Sequence, residues 1–579
     1  MDNEQLMMSR HSMAHVLAKA ILKWDSNAKL TIGPAIDNGF YYDFDMKTIT
    51  PNDFAEIEKS MQKIINSSEP FTRKEISKKE ALELFKDNPY KVEIINELPE
   101  NEVVSIYYTG NDFVDLCRGP HVDNTSKLQN MGFKIAKVAG AYWRGSEKNK
   151  MLQRIYVYAF ASKKELAEYN ALMEEAAKRD HRKLGKELGI FMFSDLVGRG
   201  LPMWLPNGFV VRRALSDYIT NKELKLGYKH VMTPSLANVN LYKTSGHWDH
   251  YHEDMFPSMK RDDEEYVLRP MNCPHHMMIY KNFLHSYKDL PLRIAEVAND
   301  FRFEGAGSLC GIERARAFTQ NDSHIFCRPD QIESEVENVI KLILDVYEDF
   351  GFTKYKFRLS LRDEKNTEKY FGNDSLWEKS ETALRKILKD NNLDFYEAKG
   401  EAAFYGPKID VQVQSALGHD VTLSTVQLDY QLPEKFELEY VDENNQKVRP
   451  VVIHRAILGS LDRFVAFLLE ETKGVLPVWL CPVQVKVLNI SEAQQEYAKS
   501  IYDKLIDLGF RAELDDRNEK IGYKIREAAG SKIPYMIIVG DGEKDSNTIS
   551  IRGRGNENTP NIKLEDFVNR LQNEIKNYK

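Results

Sequence analysis

Two arginines flank a glycine-rich turn near the middle of the chain. Arg302 precedes the turn, Arg314 follows it, and strand signals occur on either side at residues 293–296 and 315–319. The planar guanidinium group of arginine donates hydrogen bonds in a fixed fork that suits phosphate oxygens. Phe318 offers a flat apolar face on which a base could stack. The pattern predicts a hairpin that clamps a polyphosphate, with surface ion pairs as the alternative.

The first segment of the chain holds two pairs of residues of types that bind metals. His11 and His15 stand four residues apart, and Cys117 and His121 repeat that separation far downstream. Residues four apart lie on one side of a helix, and three histidines with a cysteine resemble a zinc ligand set. Spacing alone therefore indicates a zinc site, with a purely structural cluster as the alternative.

The chain around these residues is long and has enough apolar side chains to fold. Its 579 residues, 42% of them hydrophobic, predict three or four domains and exclude wholesale disorder. With 80 basic and 88 acidic residues the chain is not a histone-like binder, although local basic patches can hold structured RNA. The five cysteines are too sparse for a disulfide scaffold. No run approaches the ~18 apolar residues of a membrane span and no leader is evident, so we expect a cytoplasmic protein with no membrane partner.

Hydrophobic periodicity and its interruptions divide the chain into four parts. Residues 1–162 mix strand and helix signals, and Ser9 is expected to cap the first helix. Residues 163–188 read as one continuous polar helix, which we interpret as a linker. Residues 189–474 contain strand runs and helices. Residues 475–579 alternate strand and helix, as in a small α/β domain with a parallel sheet.

Further segments turn these patterns into a family resemblance. The arginine hairpin, Pro234 after a helix and a short strand, and the run 459–463 resemble the three signature motifs of class II aminoacyl-tRNA synthetases. Other segments resemble threonyl-tRNA synthetases in particular: Pro270-Met271-Asn272-Cys273-Pro274 and residues 174–183, 320–326, 403–408, 425–429 and 454–460. The resemblance covers essentially the whole chain. It implies a multidomain α+β and α/β fold, with an α+β editing domain, an antiparallel-sheet catalytic domain and an α/β anticodon-binding domain.

The resemblance also implies an activity and its partners. Members of this family activate L-threonine with ATP and Mg²⁺, transfer it to tRNA(Thr), and act as homodimers. Arg302 would hold the α-phosphate and Arg314 the γ-phosphate, since fixed arginines stabilise the charge that builds on phosphate oxygens. Arg463 would close over the nucleotide, with adenine between it and Phe318. The residues that the resemblance assigns to ATP binding are Arg302, Glu304, Arg314, Phe318, Ser460 and Arg463.

Cys273, His324 and His454 are too distant in sequence for spacing to group them, yet they fall where this family binds one zinc ion per chain. Three protein ligands leave a coordination position open for substrate. Chelation by the amino and hydroxyl groups of threonine would exclude valine, which apolar packing separates only weakly. The residues expected around threonine are Gln320, Asp322, Tyr405 and Gln427. His247 matches the candidate proton shuttle for transfer to tRNA, and it completes a catalytic set with Arg302, Arg463 and Gln427.

Serine keeps both zinc-binding groups and loses one methyl, worth ~1 kcal/mol, so a second, hydrolytic site is expected. The histidine–cysteine quartet of the first domain matches that editing site. Related alanyl-tRNA synthetase domains use the quartet for zinc, whereas the threonyl version resembles a site without metal, and we predict the latter here. The residues assigned to editing are His11, His15, Cys117 and His121, supported by Tyr42, Lys91 and Asp115.

The last domain resembles an anticodon-binding module that reads bases splayed out of a loop. The residues expected to contact them are Asn518, Arg526, Glu543 and Arg552. Three departures from the family stand out: no ubiquitin-like domain precedes the editing domain, Ser245 stands where threonine is frequent, and an atypical segment at 420–424 puts a ribose contact at Thr422 in doubt. A non-catalytic RNA-binding paralogue and a freestanding hydrolase of mischarged tRNA are the rival interpretations.

Overall fold

The computed structural model describes residues 2–99, 102–366, 369–370 and 374–579. The chain divides into two compact units, Met1–Glu175 and Ala176–Lys579, which we call the first unit and the second unit. Among the described helices, none is both long and apolar enough to cross a membrane.

The predicted linker helix is interrupted at one residue. Helix Lys163–Arg179 has no buried residue among those described, and it contains the boundary between the units. The backbone of Asp180 is not helical. Its side chain caps the next helix, His181–Glu187, by accepting a hydrogen bond from the backbone N–H of Arg182. The prediction of one helix through Leu188 was therefore wrong, because an aspartate side chain competes for backbone donors and favours an N-cap.

The first unit is built around a helix whose central residues are almost all buried. This helix, Asn3–Trp24, is capped by Asp2, while Ser9 bonds back to the Gln5 carbonyl inside it, so the expected cap at Ser9 was wrong. A five-stranded and a three-stranded sheet, both antiparallel, complete the unit. Its remaining helices are Phe54–Asn66, Lys78–Leu84 and Pro89–Glu97. Its strands are Lys29–Leu30, Ala35–Ile36, Gly39–Asp45, Phe71–Ile76, Val104–Thr109, Phe113–Leu116, Gly132–Tyr142 and Met151–Phe160.

The second unit contains an eight-stranded sheet that is antiparallel except where its two edge strands join. In spatial order its strands are Lys229–His230, Leu292–Phe301, Ala317–Cys327, Val451–Ser460, Asp420–Asp429, Lys408–Gln414, Tyr355–Leu361 and Phe395–Lys399. The second and third of these form the predicted hairpin, with Phe301 opposite Ala317. The third strand extends well beyond the predicted end at Thr319, and this extension carries several candidate residues.

One face of this sheet packs against helices and the other carries polar side chains. Helices Ile332–Asp349 and Leu461–Thr472 cover the first face with a continuous apolar cluster that includes Ile325 and Ile453. Side chains alternate between the faces of a strand, so the even-numbered residues around Asp322 point to the opposite face. The apolar face fixes the sheet, and the polar face is left for chemistry.

A second sheet lies near the carboxyl end, in the order Ala512–Asp515, Val485–Asn489, Tyr535–Val539, Ile549–Gly553 and Asn558–Ile562. The first three strands are parallel, as predicted, but the last two join antiparallel, so the sheet is mixed. The other helices of the second unit are Pro206–Lys225, Val239–Ser245, His247–His250, Cys273–Lys281, Asp374–Asp390, Gln431–Lys435, Gln495–Asp507, Ile521–Gly530, Asp541–Ser546 and Leu564–Lys576. Its short strands are Phe191–Met192, Met203–Trp204, Leu236–Asn238, Met259–Arg261, Glu264–Leu268, Tyr440–Val441 and Lys447–Val448.

A buried ion pair ties three elements of the large sheet together. Arg455 Nη1 lies 2.6 Å from Glu223 Oε1, and both side chains are fully buried. Glu223 also accepts a hydrogen bond from Asn321 and lies 2.8 Å from His230 Nε2. Burial alone would raise the pKa of the Glu223 carboxyl, but the Arg455 charge and the accepted hydrogen bonds outweigh it and lower the pKa. Helix Pro206–Lys225 is thereby fixed to the centre of the sheet.

Replacing Glu223 by glutamine is expected to destabilise the second unit by about 3–5 kcal/mol, because Arg455 would remain buried without its carboxylate. The measurement is the urea midpoint of the full chain, followed by circular dichroism. Lys499→Ala, which breaks an exposed pair with Asp503, is the control and should cost less than about 1 kcal/mol. Equal midpoints for the two variants would contradict the role of the pair.

Candidate functional site

A cavity of about 560 Å³ opens on the polar face of the large sheet, and we call it the sheet cavity. Twelve residues that the sequence assigned to ATP, threonine or metal line it: Cys273, Arg302, Glu304, Arg314, Phe318, Gln320, Asp322, Tyr405, Gln427, His454, Ser460 and Arg463. Thr422, which the sequence left in doubt, also lines it. His324 and His247 lie outside the lining and are fully buried. Residues from distant parts of the sequence therefore share one chamber.

The arginine hairpin forms one wall of the sheet cavity. The Arg302 guanidinium lies 5.0 Å from the centroid of the Phe318 ring, and its Nε donates to the Pro270 carbonyl. Arg314 forms two contacts of 2.8–2.9 Å with the Glu304 carboxylate. Arg463 donates to the Glu313 carbonyl on the same turn. All three arginines line the sheet cavity, an arrangement suited to phosphate oxygens.

Cys273, His324 and His454 offer ligand atoms that all lie within 4.8 Å of one another, and all three side chains are buried. Cys273 begins helix Cys273–Lys281, and His324 stands directly opposite His454 on neighbouring strands. His324 Nε2 and His454 Nδ1 are buried and have no hydrogen-bond partner within the described part of the chain. Two unpartnered imidazole nitrogens beside a thiol fit zinc, which takes nitrogen and sulfur ligands.

The other nitrogen of each of these histidines has a partner that the sequence did not predict. His454 Nε2 lies 2.8 Å from Asp429 Oδ2, and His324 Nδ1 lies 2.8 Å from His276 Nδ1. His276 could have been noticed, because it follows Cys273 by three residues on one helix and therefore shares its side. Asp429 ends the segment 425–429 that carries part of the family resemblance, but no role was assigned to it.

The remaining polar groups stand beside these candidate ligands. The Tyr405 hydroxyl donates to Gln427 Oε1, and the Tyr405 ring stacks on His454 with centroids 4.9 Å apart. Asp322 Oδ2 lies 4.0 Å from His324 Nε2. Burial raises the pKa of the Asp322 carboxyl, despite the opposing charges of nearby histidines.

His247 lies behind the lining, edge-on to Phe404 at 5.1 Å between ring centroids. Its Nδ1 lies 2.8 Å from Ser245 Oγ, so serine supplies the hydroxyl that threonine would supply at this position. Burial, assisted by the charges of His454 and Arg302, lowers the pKa of His247 to about 3. The imidazole is therefore neutral at neutral pH, and the same shift makes it a weak base.

The first unit has its own cavity of about 390 Å³, which we call the first-unit cavity. Six predicted editing residues line it: His11, His15, Tyr42, Lys91, Asp115 and Cys117. His121 is buried outside the lining, with its Nε2 3.2 Å from Cys117 Sγ. Cys117 Sγ lies 3.3 Å from His11 Nε2, and the ligand atoms of the whole quartet lie within 4.8 Å of one another.

The electrostatics of the first-unit cavity favour neutral side chains in the quartet. Burial raises the pKa of the Cys117 thiol to about 11 and lowers the pKa values of His11, His15 and His121. Beside them, Asp115 is buried, pairs with Lys91 Nζ at 2.6 Å and accepts a hydrogen bond from Tyr42. This geometry suits both a metal and the metal-free site that the sequence analysis predicted.

The predicted anticodon residues lie on the carboxyl-terminal sheet and its flanking segments. Asn518, Arg526 and Arg552 are exposed, and Arg552 stands on strand Ile549–Gly553. Glu543 is partly buried and accepts hydrogen bonds from the Gly540 N–H and Ser550 Oγ. Its carboxylate is therefore engaged in capping helix Asp541–Ser546, and the role of all four residues stays a prediction.

Three families match successive parts of the chain. Residues 104–156 match the threonyl and alanyl tRNA synthetase second additional domain. Residues 253–472 match the tRNA synthetase class II core domain (G, H, P, S and T), and residues 484–574 match an anticodon binding domain.

The chain is 54% identical to the threonine–tRNA ligase of Halalkalibacterium halodurans over 581 residues, which cover 99% of this chain and 90% of that relative. It is 53% identical to the Staphylococcus carnosus enzyme over 578 residues, with 99% and 89% covered. A crystal structure described as the RNA binding domain of threonyl-tRNA synthetase from Cryptosporidium parvum Iowa II superposes with a TM-score of 0.66 at 37% identity, over 68% of this chain and 98% of that one. A putative threonyl-tRNA synthetase, ThrRS-1, from Aeropyrum pernix gives 0.62 at 27% identity, over 69% and 97%.

These relatives confirm the predicted multidomain fold class and the predicted ligase activity, including an editing-related domain. They exclude the rival of a freestanding hydrolase, because the class II core is present. Identity above one half over nearly the whole chain shows that it belongs to the threonine–tRNA ligase family of class II aminoacyl-tRNA synthetases.

Proposed function

We propose that the sheet cavity is where this chain joins L-threonine to tRNA(Thr), using ATP and Mg²⁺. The observation that carries the proposal is the lining, which combines the arginine hairpin with a buried cysteine–histidine cluster. Attack of the threonine carboxylate on the α-phosphorus would break the bond to the β-phosphate, form threonyl-adenylate and release pyrophosphate, and it builds negative charge on phosphate oxygens. Arg302, Arg314 and Arg463 would stabilise that charge, with Mg²⁺ on the phosphates. Phe318 and Ser460 would hold the nucleoside part of ATP, with Glu304 at the adenine edge.

Recognition of threonine is assigned to the other wall of the sheet cavity. Zinc held by Cys273, His324 and His454 would, when bound, accept the amino and hydroxyl groups of threonine as ligands. Asp322 would accept the hydroxyl proton. Tyr405 and Gln427, which are already hydrogen-bonded to each other, would orient the substrate together with Gln320.

His247 is proposed to move a proton when threonine passes to the tRNA. Its neutral imidazole would take the proton of the attacking hydroxyl group through an open nitrogen, although the lowered pKa of His247 opposes this in the free chain. Ser245 would hold the ring through Nδ1, which leaves Nε2 as the reactive nitrogen. Nε2 has no hydrogen-bond partner among the described residues, as this role requires.

The first-unit cavity is proposed to hydrolyse Ser-tRNA(Thr). Neutral His11, His15, Cys117 and His121 can position water on the ester without a metal, and the buried group of Tyr42, Lys91 and Asp115 would hold the ester end. Discrimination here must work by exclusion, because threonine differs from serine by one additional methyl group. We keep the metal-free proposal for this quartet.

A homodimer through the second unit is also proposed. Met232 and Leu236, on either side of Pro234, are exposed at 95% and 45% in the single chain, and helix Pro206–Lys225 exposes Phe209 at 61%. Exposed apolar clusters of this kind mark interaction surfaces, and in class II synthetases this motif forms the subunit interface. The proposed compartment is the cytoplasm, where protein synthesis consumes charged tRNA.

We retain the four-part division at residues 1–162, 163–188, 189–474 and 475–579 as a proposal. Three separate apolar clusters support it, since one lies in the first unit, one under the large sheet and one under the carboxyl-terminal sheet. The carboxyl-terminal part would bind the anticodon through Asn518, Arg526, Glu543 and Arg552.

The purified chain is expected to hold one zinc ion tightly, and Cys273→Ser should lose it, because a hydroxyl group is a much poorer zinc ligand than a thiolate. The rate of threonine-dependent ATP–pyrophosphate exchange should fall when the zinc is lost. Zinc is measured by elemental analysis of the protein as purified. Cys481→Ser, which changes a buried cysteine in another part of the second unit, is the control. Active wild-type protein without zinc would refute the metal site.

His11→Ala and Cys117→Ala should leave threonine activation nearly unchanged while Ser-tRNA(Thr) accumulates. The two cavities lie in different units, so their effects are expected to be close to independent. Deacylation of preformed Ser-tRNA(Thr) is compared between wild type, both variants, and the control Lys86→Ala, which breaks an exposed pair with Glu83 outside the lining of the first-unit cavity. Variants that deacylate as fast as wild type would exclude the first-unit cavity as the editing site.

Sedimentation at micromolar concentration should give twice the chain mass of 67.0 kDa. Met232→Lys would place a charge in the proposed interface and should shift the mass toward a monomer. Leu508→Lys changes an exposed apolar residue that follows helix Gln495–Asp507, in the carboxyl-terminal part of the chain, and serves as the control. A monomeric wild-type chain would contradict the proposed dimer.

A further inference from the structure

His276 has no part in the mechanism proposed above, although it is a fully buried histidine beside a candidate metal ligand. It lies on helix Cys273–Lys281, three residues after Cys273. Its Nδ1 is 2.8 Å from His324 Nδ1, and its Nε2 is 3.1 Å from Glu296 Oε2. A carboxylate and two imidazoles therefore form one unbroken chain of hydrogen bonds.

The position of each proton in this chain follows from the carboxylate end. Glu296 is nearly buried, yet hydrogen bonds from His276 and the Thr233 N–H, with the nearby Arg269 charge, overcome the effect of burial and lower its pKa to about 2. An ionised carboxylate only accepts, so His276 Nε2 must carry a proton and donate it. When that is the only proton on the His276 ring, its Nδ1 has a lone pair, which accepts the Nδ1–H of His324.

This order of protons leaves His324 Nε2 with its lone pair. That nitrogen is the one that is buried without a hydrogen-bond partner in the described residues, and it belongs to the cluster with Cys273 and His454. His454 needs no intermediate histidine, because its Nε2 bonds directly to Asp429. Its Nδ1 then has no partner among the described residues. Both imidazoles thus present a lone pair, which a zinc ligand requires.

We propose that His276 and Glu296 are positioning residues that hold His324 in the tautomer and ring orientation in which Nε2 binds zinc. This inference rests on the zinc site of the proposed function and deepens it. Without His276 and Glu296, the His324 proton could occupy either ring nitrogen, and the ring would lose the hydrogen bond that orients it. Outer partners of this kind typically contribute about 10- to 100-fold to metal affinity.

Glu296 offers a substitution that reverses the proton order without changing the shape of the side chain. Its Oε1 accepts from the Thr233 N–H at 2.8 Å, while Oε2 accepts from His276. A glutamine has one acceptor oxygen, so its amide would donate to His276 Nε2 if its oxygen serves Thr233. His276 would then carry its proton on Nδ1 and donate to His324, which would place a proton on the nitrogen meant for the metal.

The test measures zinc affinity of the full-length protein by competition with a chromogenic chelator, and zinc retained after dialysis against EDTA. Glu296→Gln and His276→Leu are expected to bind zinc about 10- to 100-fold more weakly than wild type. His276→Asn should lose less, because its side-chain oxygen can still accept from His324. His275→Leu is the matched control, since it changes the neighbouring histidine, which lies near Tyr242, and it should bind as wild type does.

Wild-type protein that holds no zinc would overturn both the proposed metal site and this relay. Zinc-loaded wild type with equal affinity in Glu296→Gln and His276→Leu would overturn the relay alone. Equal weakening by His275→Leu would show that the helix, and not the relay, sets the affinity. If Glu296→Gln fails to fold, the comparison of His276→Asn with His276→Leu decides, because both leave Glu296 in place.

Discussion

The hydrogen-bond register between strands Ala317–Cys327 and Val451–Ser460 is the constraint on which the sheet cavity depends. In this register His324 stands opposite His454, and His454 in turn stands opposite Gln427 on the next strand. Because side chains alternate along a strand, Gln320, Asp322 and His324 then share the polar face. A slip of one residue would turn these three side chains toward the apolar helices and expose their neighbours. The apolar cluster on the opposite face opposes that slip, since a shift of one residue would remove Ile325 or Ile453 from it.

Chemistry in the buried part of this cavity depends on polar groups whose partners lie on other elements. The candidate metal ligands come from one helix and two strands, and the second nitrogen of each histidine is held by His276 or Asp429. The chain through His276 continues to Glu296, which also receives the backbone N–H of Thr233, next to Pro234. The segment proposed for the subunit interface and the proposed metal site are therefore connected by hydrogen bonds within one chain. A buried network of this kind is costly unless every polar atom has a partner. His324 Nε2 and His454 Nδ1 have none among the described residues, so these are the atoms that a ligand would satisfy.

The first unit uses the same residue types in a different electrostatic setting. Its three histidines and Cys117 lie close together, and burial raises the pKa of the Cys117 thiol to about 11, but burial raises the pKa of the Cys273 thiol as well, so the thiols alone do not distinguish the two sites. The nearby carboxylate of Asp115 is already engaged by Lys91 and Tyr42. In the sheet cavity, by contrast, carboxylates hold the outer nitrogen of each histidine directly or through His276. Similar ligand sets can therefore serve different purposes, because the charges around them differ.

The sequence by itself determined the class of fold, the family and the identity of most candidate residues, because these are carried by local motifs that do not depend on partners. Periodicity also predicted the arginine hairpin and most helices, but it missed the break at Asp180, the helix start at Asn3 and the antiparallel end of the last sheet. The first two features are set by the side-chain caps Asp180 and Asp2, and the third by strands that follow one another in the chain and pair antiparallel. The family resemblance grouped Cys273, His324 and His454, which spacing could not, and the structure brings them together. Only the tertiary structure decided that His247 lies behind Phe404 and that Asp429, His276 and Glu296 support the two histidines. Hydrogen bonds between residues separated by 20 to 48 positions leave no local pattern, so packing alone determines which of many buried polar groups become partners.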